Sequence, residues 1–367
     1  MTKAAELAKM GEVLTNSQIG GRRNIVINGA MQVAQRSASV TGIAASTYAT
    51  VDRWKTAIGS TAGRLTQTQT AITDLSGFAF ATKLDCTTAD TSIAAGETLM
   101  FHQRFEGQDL QQLKKGTSDA EKITVSFFVK GNASATYTCE LQDTDNARFN
   151  SQEFSVTTSF TRVILTFVAD TTGALTNDNA LSFQLNIHLH AGSTFTGGSH
   201  TDNVWHTTAN QRVGDNQTSF FDSTDRTFFI TGVQMEVGSV ATPFEHRSFG
   251  EELALCQRYY EKTYNTTVAP ATNTDVGSYN FSGASEGNGN VIVPIIFSVA
   301  KRAAPSMKGY RTANTADQWD MERSGSGAVG AITFDRIGVN TTRAYIVSGA
   351  NWTVAYVYGH WVADSEL

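Results

Sequence analysis

Cysteine is scarce: Cys86, Cys139 and Cys256 are three, an odd number at wide spacing, which fits neither a disulfide framework nor a zinc knuckle and predicts reduced, packed thiols. Charge is scarce too, since Asp, Glu, Lys and Arg make up 17% of the 367 residues, and 28 basic against 34 acidic side chains leave a formal net charge of −6. With no basic stripe and no run of like charges, the attraction to phosphate that dominates general nucleic-acid binding is missing. Long apolar runs are absent as well. Stretches such as Val291 to Val299, interrupted by Pro294, are far too short to cross a bilayer, and the first residues carry no apolar signal-peptide core, so a soluble chain is expected. Neither a nucleophile elbow, a phosphate-cradling glycine loop nor a zinc-protease histidine pair occurs, and no two carboxylates single themselves out for glycoside cleavage. The expectation is a protein that is not an enzyme and needs no cofactor.

What is abundant is Thr, Ser, Asn and Gly, a hydroxyl- and amide-rich composition that suits β-structure and self-association. The length allows two or three domains, and no repeat of fixed period is visible. From Thr2 to Gly20 the spacing of Ala4, Leu7, Ala8, Met10 and Leu14 predicts a short amphipathic helix, with a frayed tail as the alternative. Such a helix is too thin to stand alone and would dock, making Leu7, Met10 and Leu14 candidate anchor residues. From Asn24 to about Phe249 the period becomes two. Ile123, Val125, Phe127 and Val129 alternate with Thr124, Ser126, Phe128 and Lys130, and Leu181, Phe183, Leu185, Ile187 and Leu189 alternate with Ser182, Gln184, Asn186, His188 and His190, predicting one core face and one wet face. Further strands are expected at Ile25 to Ile27, Ala79 to Asp85, Leu99 to Phe105, Tyr137 to Gln142, Val163 to Val168 and Phe228 to Glu236, together an antiparallel two-sheet sandwich. One helix is expected from Glu251 to about Tyr264, joining the sandwich to a small β-unit with strands at Val291 to Val299, Ala331 to Ile337, Ala344 to Val347 and Trp352 to Trp361. Pro294 puts its strand at an edge or bulge.

Five stretches then form a pattern. Arg22-Arg23-Asn24-Ile25-Val26-Ile27-Asn28-Gly29-Ala30-Met31, followed by Gln35-Arg36 and Val51-Asp52-Arg53-Trp54, resembles the opening of a family of bacteriophage virion proteins whose lead domain is similar to carbohydrate-binding-module jelly rolls. Val125 to Lys130 resembles a strand of that family, with Phe128 where a Trp is common. Gly232 to Gly238 followed by Ala241 to Glu245 resembles its closing strand, with Met235 in place of a Leu. Glu252-Leu253 with Cys256 to Lys262, and the stretch Ala363 to Leu367, resemble two further segments. The resemblance implies a mostly β protein: an N-terminal helical anchor over 1–21, a jelly-roll sandwich over 22–249, a connecting helix over 250–265 and a small C-terminal β-domain over 266–367. It also implies a virion structural protein, assembled in the host cytoplasm. Read together with the composition, that is a homotrimeric tail fibre held to other virion proteins by its N-terminus and contacting a host-surface glycan. A capsid-surface fibre or tail-structural component without a receptor role is the alternative, because the module occurs in all of these.

Candidate sites are weighed against packing. Trp54 offers a flat face to a sugar or plugs the core while Asp52 and Arg53 fix a corner. Gln234 and Glu236 line a polar groove or cap backbone. His188 and His190, two apart on one strand face, with His200 and His206 in the following loop, could reach a metal, although exposed titrating histidines are the favoured expectation. Asp143, Asp145 and Asn146 form a turn that could offer oxygens to Ca²⁺ or be a backbone-stabilising Asx turn, so no metal is assigned. The long loop from Ala191 to Arg226 carries Trp205, His206, Gln211, Arg212 and Asn216, an aromatic plate ringed by polar groups that suits a glycan or a neighbouring subunit.

Overall fold

The computed structural model describes Lys3 and residues 23–283, 290–323, 326–347 and 355–367. Apart from Lys3, the 1–21 anchor, with Leu7, Met10 and Leu14, lies outside the described residues.

Eleven strands build a two-sheet antiparallel sandwich: β1 (Ser39–Ile43), β2 (Trp54–Gly59), β3 (Arg64–Ala71), β4 (Phe80–Thr88), β5 (Thr98–Glu106), β6 (Ile123–Gly131), β7 (Ala135–Asp143), β8 (Arg148–Val156), β9 (Thr161–Phe167), β10 (Leu181–Ala191) and β11 (Thr227–Val237). One sheet runs β1-β3-β4-β11-β6-β9 and the other β2-β5-β10-β7-β8. The period-two residues of β6 and β10 drive this, because alternate side chains must share a face. Phe127, Val129, Phe183, Leu185 and Ile187 all point into one core with Trp54, which stacks on Phe101 at 4.9 Å between ring centres. Burying each such side chain contributes about 1.5–3 kcal/mol. Trp54 therefore takes the core-plug reading. The stretch expected as a strand at Ile25 to Ile27 is not one. It passes so close to β11 that a Cβ on Gly29 would sit 2.1 Å from the Val233 carbonyl oxygen.

The helix is shorter than the periodicity suggests, Phe249–Gln257, with the Ser248 hydroxyl accepting from the Glu251 N–H at 3.3 Å as its N-cap. It stops because Tyr260 to Lys262 pair as β12 (Tyr260–Lys262) with the last strand. That strand belongs to a third antiparallel sheet, which forms a second unit built from β12, β13 (Tyr279–Gly283), β14 (Asn290–Ile296), β15 (Ser306–Tyr310), β16 (Gln318–Arg323), β17 (Ser326–Asp335), β18 (Thr341–Val347) and β19 (Ala355–Asp364). Its main path is β12-β19-β16-β17-β18-β14, with β13 and β15 also on β19. The strand carrying Pro294 ends that path, as a residue with no N–H to donate requires. This unit has its own core around Trp319, Val293, Ile346 and Trp361. The three cysteines are free and buried.

The stretches that carry the family resemblance meet in space. Asn24 donates to the Val233 carbonyl (3.0 Å) and accepts from the N–H of Val26 (3.0 Å) and Met235 (3.1 Å), tying the chain start to β11. Asn28 donates to the carbonyls of Val33 (2.8 Å) and Asp52 (3.0 Å), and its own N–H reaches Glu252 at 2.6 Å. Gln234 and Glu236 cap backbone and side chain at Thr242. Arg53, 1% exposed, pairs with Glu366 and lies 3.3 Å from the Tyr259 ring centre. Arg36 pairs with Asp364 (3.1 Å) and Glu366 (3.4 Å), and Arg258 forks onto Glu106 (2.9 and 2.6 Å). Burial pushes the Asp52 carboxyl up to about 6, against the pull of Arg36 and Gln35. These motifs are thus a joint: they seat the helix and the third sheet on the sandwich.

Candidate functional site

The outer face of the five-stranded sheet is the polar half of its alternation. Cross-strand register sets out two neighbouring rows there. One holds Lys55, His102, Asn186 and Glu140, and the next Arg104, Gln184, Gln142 and Phe149. This face was expected to be wet, with exposed histidines. Instead His188 and His190 are fully buried, as are Asn186 and Glu140, because residues 192–222 fold back over the sheet. A strand pattern records which face a side chain takes but not whether a distant loop later covers it.

The loop is fastened by charge. Arg212 forks onto Glu140, Nε to Oε1 at 2.7 Å and Nη2 to Oε2 at 2.8 Å, and also donates to Gln142 Oε1 at 2.9 Å. His188 Nε2 lies 3.0 Å from Glu140 Oε2, and Asn186 donates to the same oxygen at 2.7 Å. Burial pushes the Glu140 carboxyl up, but the Arg212 and His188 charges and hydrogen bonds more than offset it and hold it well below the usual range. His190 bridges Glu97 (2.9 Å) and Ser219 (2.8 Å). His200 sits 3.0 Å from the Gln211 carbonyl and 2.9 Å from Asp202. Burial, with Arg104 beside it, pulls the His102 imidazole down to about 3.

The five loop residues expected to contact a ligand do not form one cluster. Arg212 lies over the Phe149 ring (4.3 Å) and His206 beside it (5.9 Å between ring centres), so these two come together. Trp205 stands apart, its indole N–H donating to the Val168 carbonyl at 2.8 Å and its ring 5.3 Å from the Lys115 ammonium. Asn216 caps Glu153 (2.9 Å) at the far edge, and Gln211 is half-buried. The four histidines each hold a separate partner, and among the described residues no three His, Cys, Asp or Glu side chains converge as a metal site. In the Asp143 turn, Asp143 is taken by Lys115 and Asn146, and Asp145 by Thr176 at 2.9 and 2.7 Å, which is the Asx-turn arrangement.

What stays open is a strip along the loop margin, where Lys55, Met100, Arg104, Gln142, His206 and Arg212 are half-buried. Chemically it offers cationic and amide donors around one apolar thioether, with the Phe149 ring at one end. Hydroxyl-rich ligands match such a set. Lys55, Met100, Arg104 and Gln142 are not legible in the sequence as a set because they come from three strands, β2, β5 and β7, and only the cross-strand register sets them on one face. No helix among the described residues is long and apolar enough to cross a membrane.

The sandwich is similar to solved carbohydrate-binding modules. A CBM4 domain matches at 11% identity over 57% of this chain and 97% of its own, with a TM-score of 0.31. The family 11 module of Clostridium thermocellum, in complex with a β-1,3-1,4-mixed-linked tetrasaccharide, matches at 8% identity over 56% and 99%, with a TM-score of 0.28. TmCBM61 in complex with β-1,4-galactotriose matches at 9% over 59% and 99%, with a TM-score of 0.30. No protein-family model matches the chain, and no curated protein matches it. The fold assignment rests on the two sheets themselves.

Proposed function

We propose that this protein binds a glycan along the half-open strip of the five-stranded sheet, without cleaving it, as part of a trimeric tail fibre on a bacteriophage particle. The single observation behind the binding reading is the strip, in which Gln142 is half-buried and its amide donor end takes no partner among the described residues while its oxygen accepts from Arg212 and Asn186. An amide so oriented, in the same cross-strand row as Arg104, suits a sugar hydroxyl. Three weak copies acting together convert low single-site affinity into useful avidity. The virion setting is supported by the five motif stretches, and the particle is built in the host cytoplasm.

The test is binding of the full chain to a panel of bacterial surface polysaccharides by affinity electrophoresis, beside Gln142→Ala. Retardation by at least one polysaccharide, weakened about tenfold in Gln142→Ala, as loss of one or two sugar hydrogen bonds gives, is expected. No retardation across the panel refutes the reading. A capsid-surface or tail-structural role without receptor contact is favoured by one observation: Trp205, Arg212 and Asn216 are already spent on internal partners. Antibody against residues 266–367, seen on virions by electron microscopy, separates tail tip, tail shaft and head.

A further inference from the structure

Lys115 is a buried cation of the sandwich; its side chain is 4% exposed. Around its ammonium stand Asp143 Oδ2, Asp170 Oδ2 at 2.9 Å, and the carbonyl oxygens of Thr172 and Gly173, each at 2.9 Å. An ammonium on its stem has three N–H groups to give. Here four oxygens from two chain segments converge on it, one more than its three N–H groups. Two carboxylates plus backbone carbonyls in excess are the donor set of a hard divalent cation rather than of a lysine.

The cage does not depend on Lys115 for its shape. Arg148 forks onto Asp170, Nε to Oδ2 at 2.7 Å and Nη2 to Oδ1 at 2.9 Å. The Asn146 N–H and amide hold Asp143 at 3.0 and 2.9 Å, and the same amide reaches the Ala174 carbonyl at 3.0 Å. Gly173 takes φ +75°, and a Cβ there would lie 2.5 Å from Asn146, so the carbonyl-bearing turn is seated by backbone geometry as well.

We propose that Asp143, Asp170, Thr172 and Gly173 form a cation site of Ca²⁺ type that the chain fills with its own Lys115. A tethered ammonium leaves no metal to lose. It keeps the turn at 143–148, the segment at 170–176 and, through the Trp205 ring 5.3 Å away, the root of the covering loop in place where chelators strip calcium. Removing the side chain empties the cage, and Ca²⁺, at about 2.3–2.6 Å from oxygen, enters with water completing its shell. This inference is independent of the glycan reading.

The test uses the full chain and Lys115→Ala, with Tb³⁺ as the luminescent calcium probe. Trp205 is close enough to sensitise an ion in the cage, so Lys115→Ala excited at tryptophan wavelengths is expected to emit at least about tenfold above wild type. Ca²⁺ should quench that emission by competition and raise the melting temperature of Lys115→Ala but not of wild type. Adding Trp205→Phe should dim the emission while keeping the Ca²⁺-dependent rise. Wild type is expected to melt at the same temperature with and without EDTA. The proposal is overturned if folded Lys115→Ala emits no more than wild type, or if EDTA lowers the wild-type melting temperature. Should Lys115→Ala fail to fold in metal-free buffer, refolding in millimolar Ca²⁺ must recover it, and failure to recover also overturns the proposal.

Discussion

Replacing Glu366 by Ala removes the acid at the centre of the joint. Arg53, 1% exposed, then loses its only carboxylate among the described residues and keeps the Arg104 carbonyl at 2.6 Å and the Tyr259 ring at 3.3 Å. Arg36 keeps Asp364 at 3.1 Å and the Tyr260 ring at 3.7 Å. Breaking one side of a buried ion pair costs about 3–5 kcal/mol. The surviving partners put this case at the low end, about 3 kcal/mol. For a cooperative unit of this size each kcal/mol moves the melting temperature by about 2–4 °C, so a fall of about 6–12 °C is expected. Differential scanning calorimetry reads both the shift and its form. Because Glu366 joins the second unit to Arg53 and Arg36 of the sandwich, a wild-type transition expected to be single should broaden or split in the variant as the third sheet lets go first. Glu366→Gln, which keeps the shape and one acceptor, should fall between. A melting temperature within about 1 °C of wild type, with an unsplit transition, would refute the claim that this ion pair couples the two units.

Two further outcomes follow from the covered sheet face. Arg212→Met strands Glu140 in the interior with only His188 and Asn186 among the described residues, at a cost of about 3–5 kcal/mol; hydrogen exchange at residues 205–217 should accelerate, and unchanged protection would count against the fastening role. His102, held down to about 3 by burial from an ordinary 6.5, stays neutral in the fold while the unfolded chain takes up a proton. Its contribution is therefore complete above pH about 6.5 and is lost as pH falls toward 3, at up to about 1.4 kcal/mol per pH unit. The stability gap between wild type and His102→Gln measured by urea unfolding should narrow across that window, and a gap independent of pH would contradict the buried-neutral assignment.

Legibility in the sequence tracked how local the deciding physics is. β6 and β10 were readable because their core residues alternate without interruption over nine and eleven residues. β3 was not, since Gln67 stands at a fully buried position of a Thr- and Gln-rich stretch and erases the contrast between faces. β8, with Asn150 and Ser151 buried side by side, was lost the same way. The helix ends earlier than its stripe suggests because Tyr260 continues the apolar face of Leu253 and Cys256, while pairing with Asp364 on β19 claims it for a strand. Of the site, the loop was visible as an aromatic and polar stretch. Its fastening to Glu140, 72 residues before Arg212, was not, and neither was the strip that the loop leaves uncovered.

The joint also fixes how this chain can be taken apart. The second unit enters at Tyr260 on β12 and returns to the sandwich through Glu366, whose carboxylate meets Arg36 and Arg53, and Leu367, whose carbonyl oxygen accepts from Arg104 (2.7 Å) and Tyr48 (2.9 Å). Both leads of the cassette are thus soldered to the same board. An engineer who wants a new tip on this scaffold has to splice inside β12 and β19 and leave the final three residues untouched, whereas a cut at the apparent boundary after the helix would carry the counter-ions of Arg36 and Arg53 away with the discarded part.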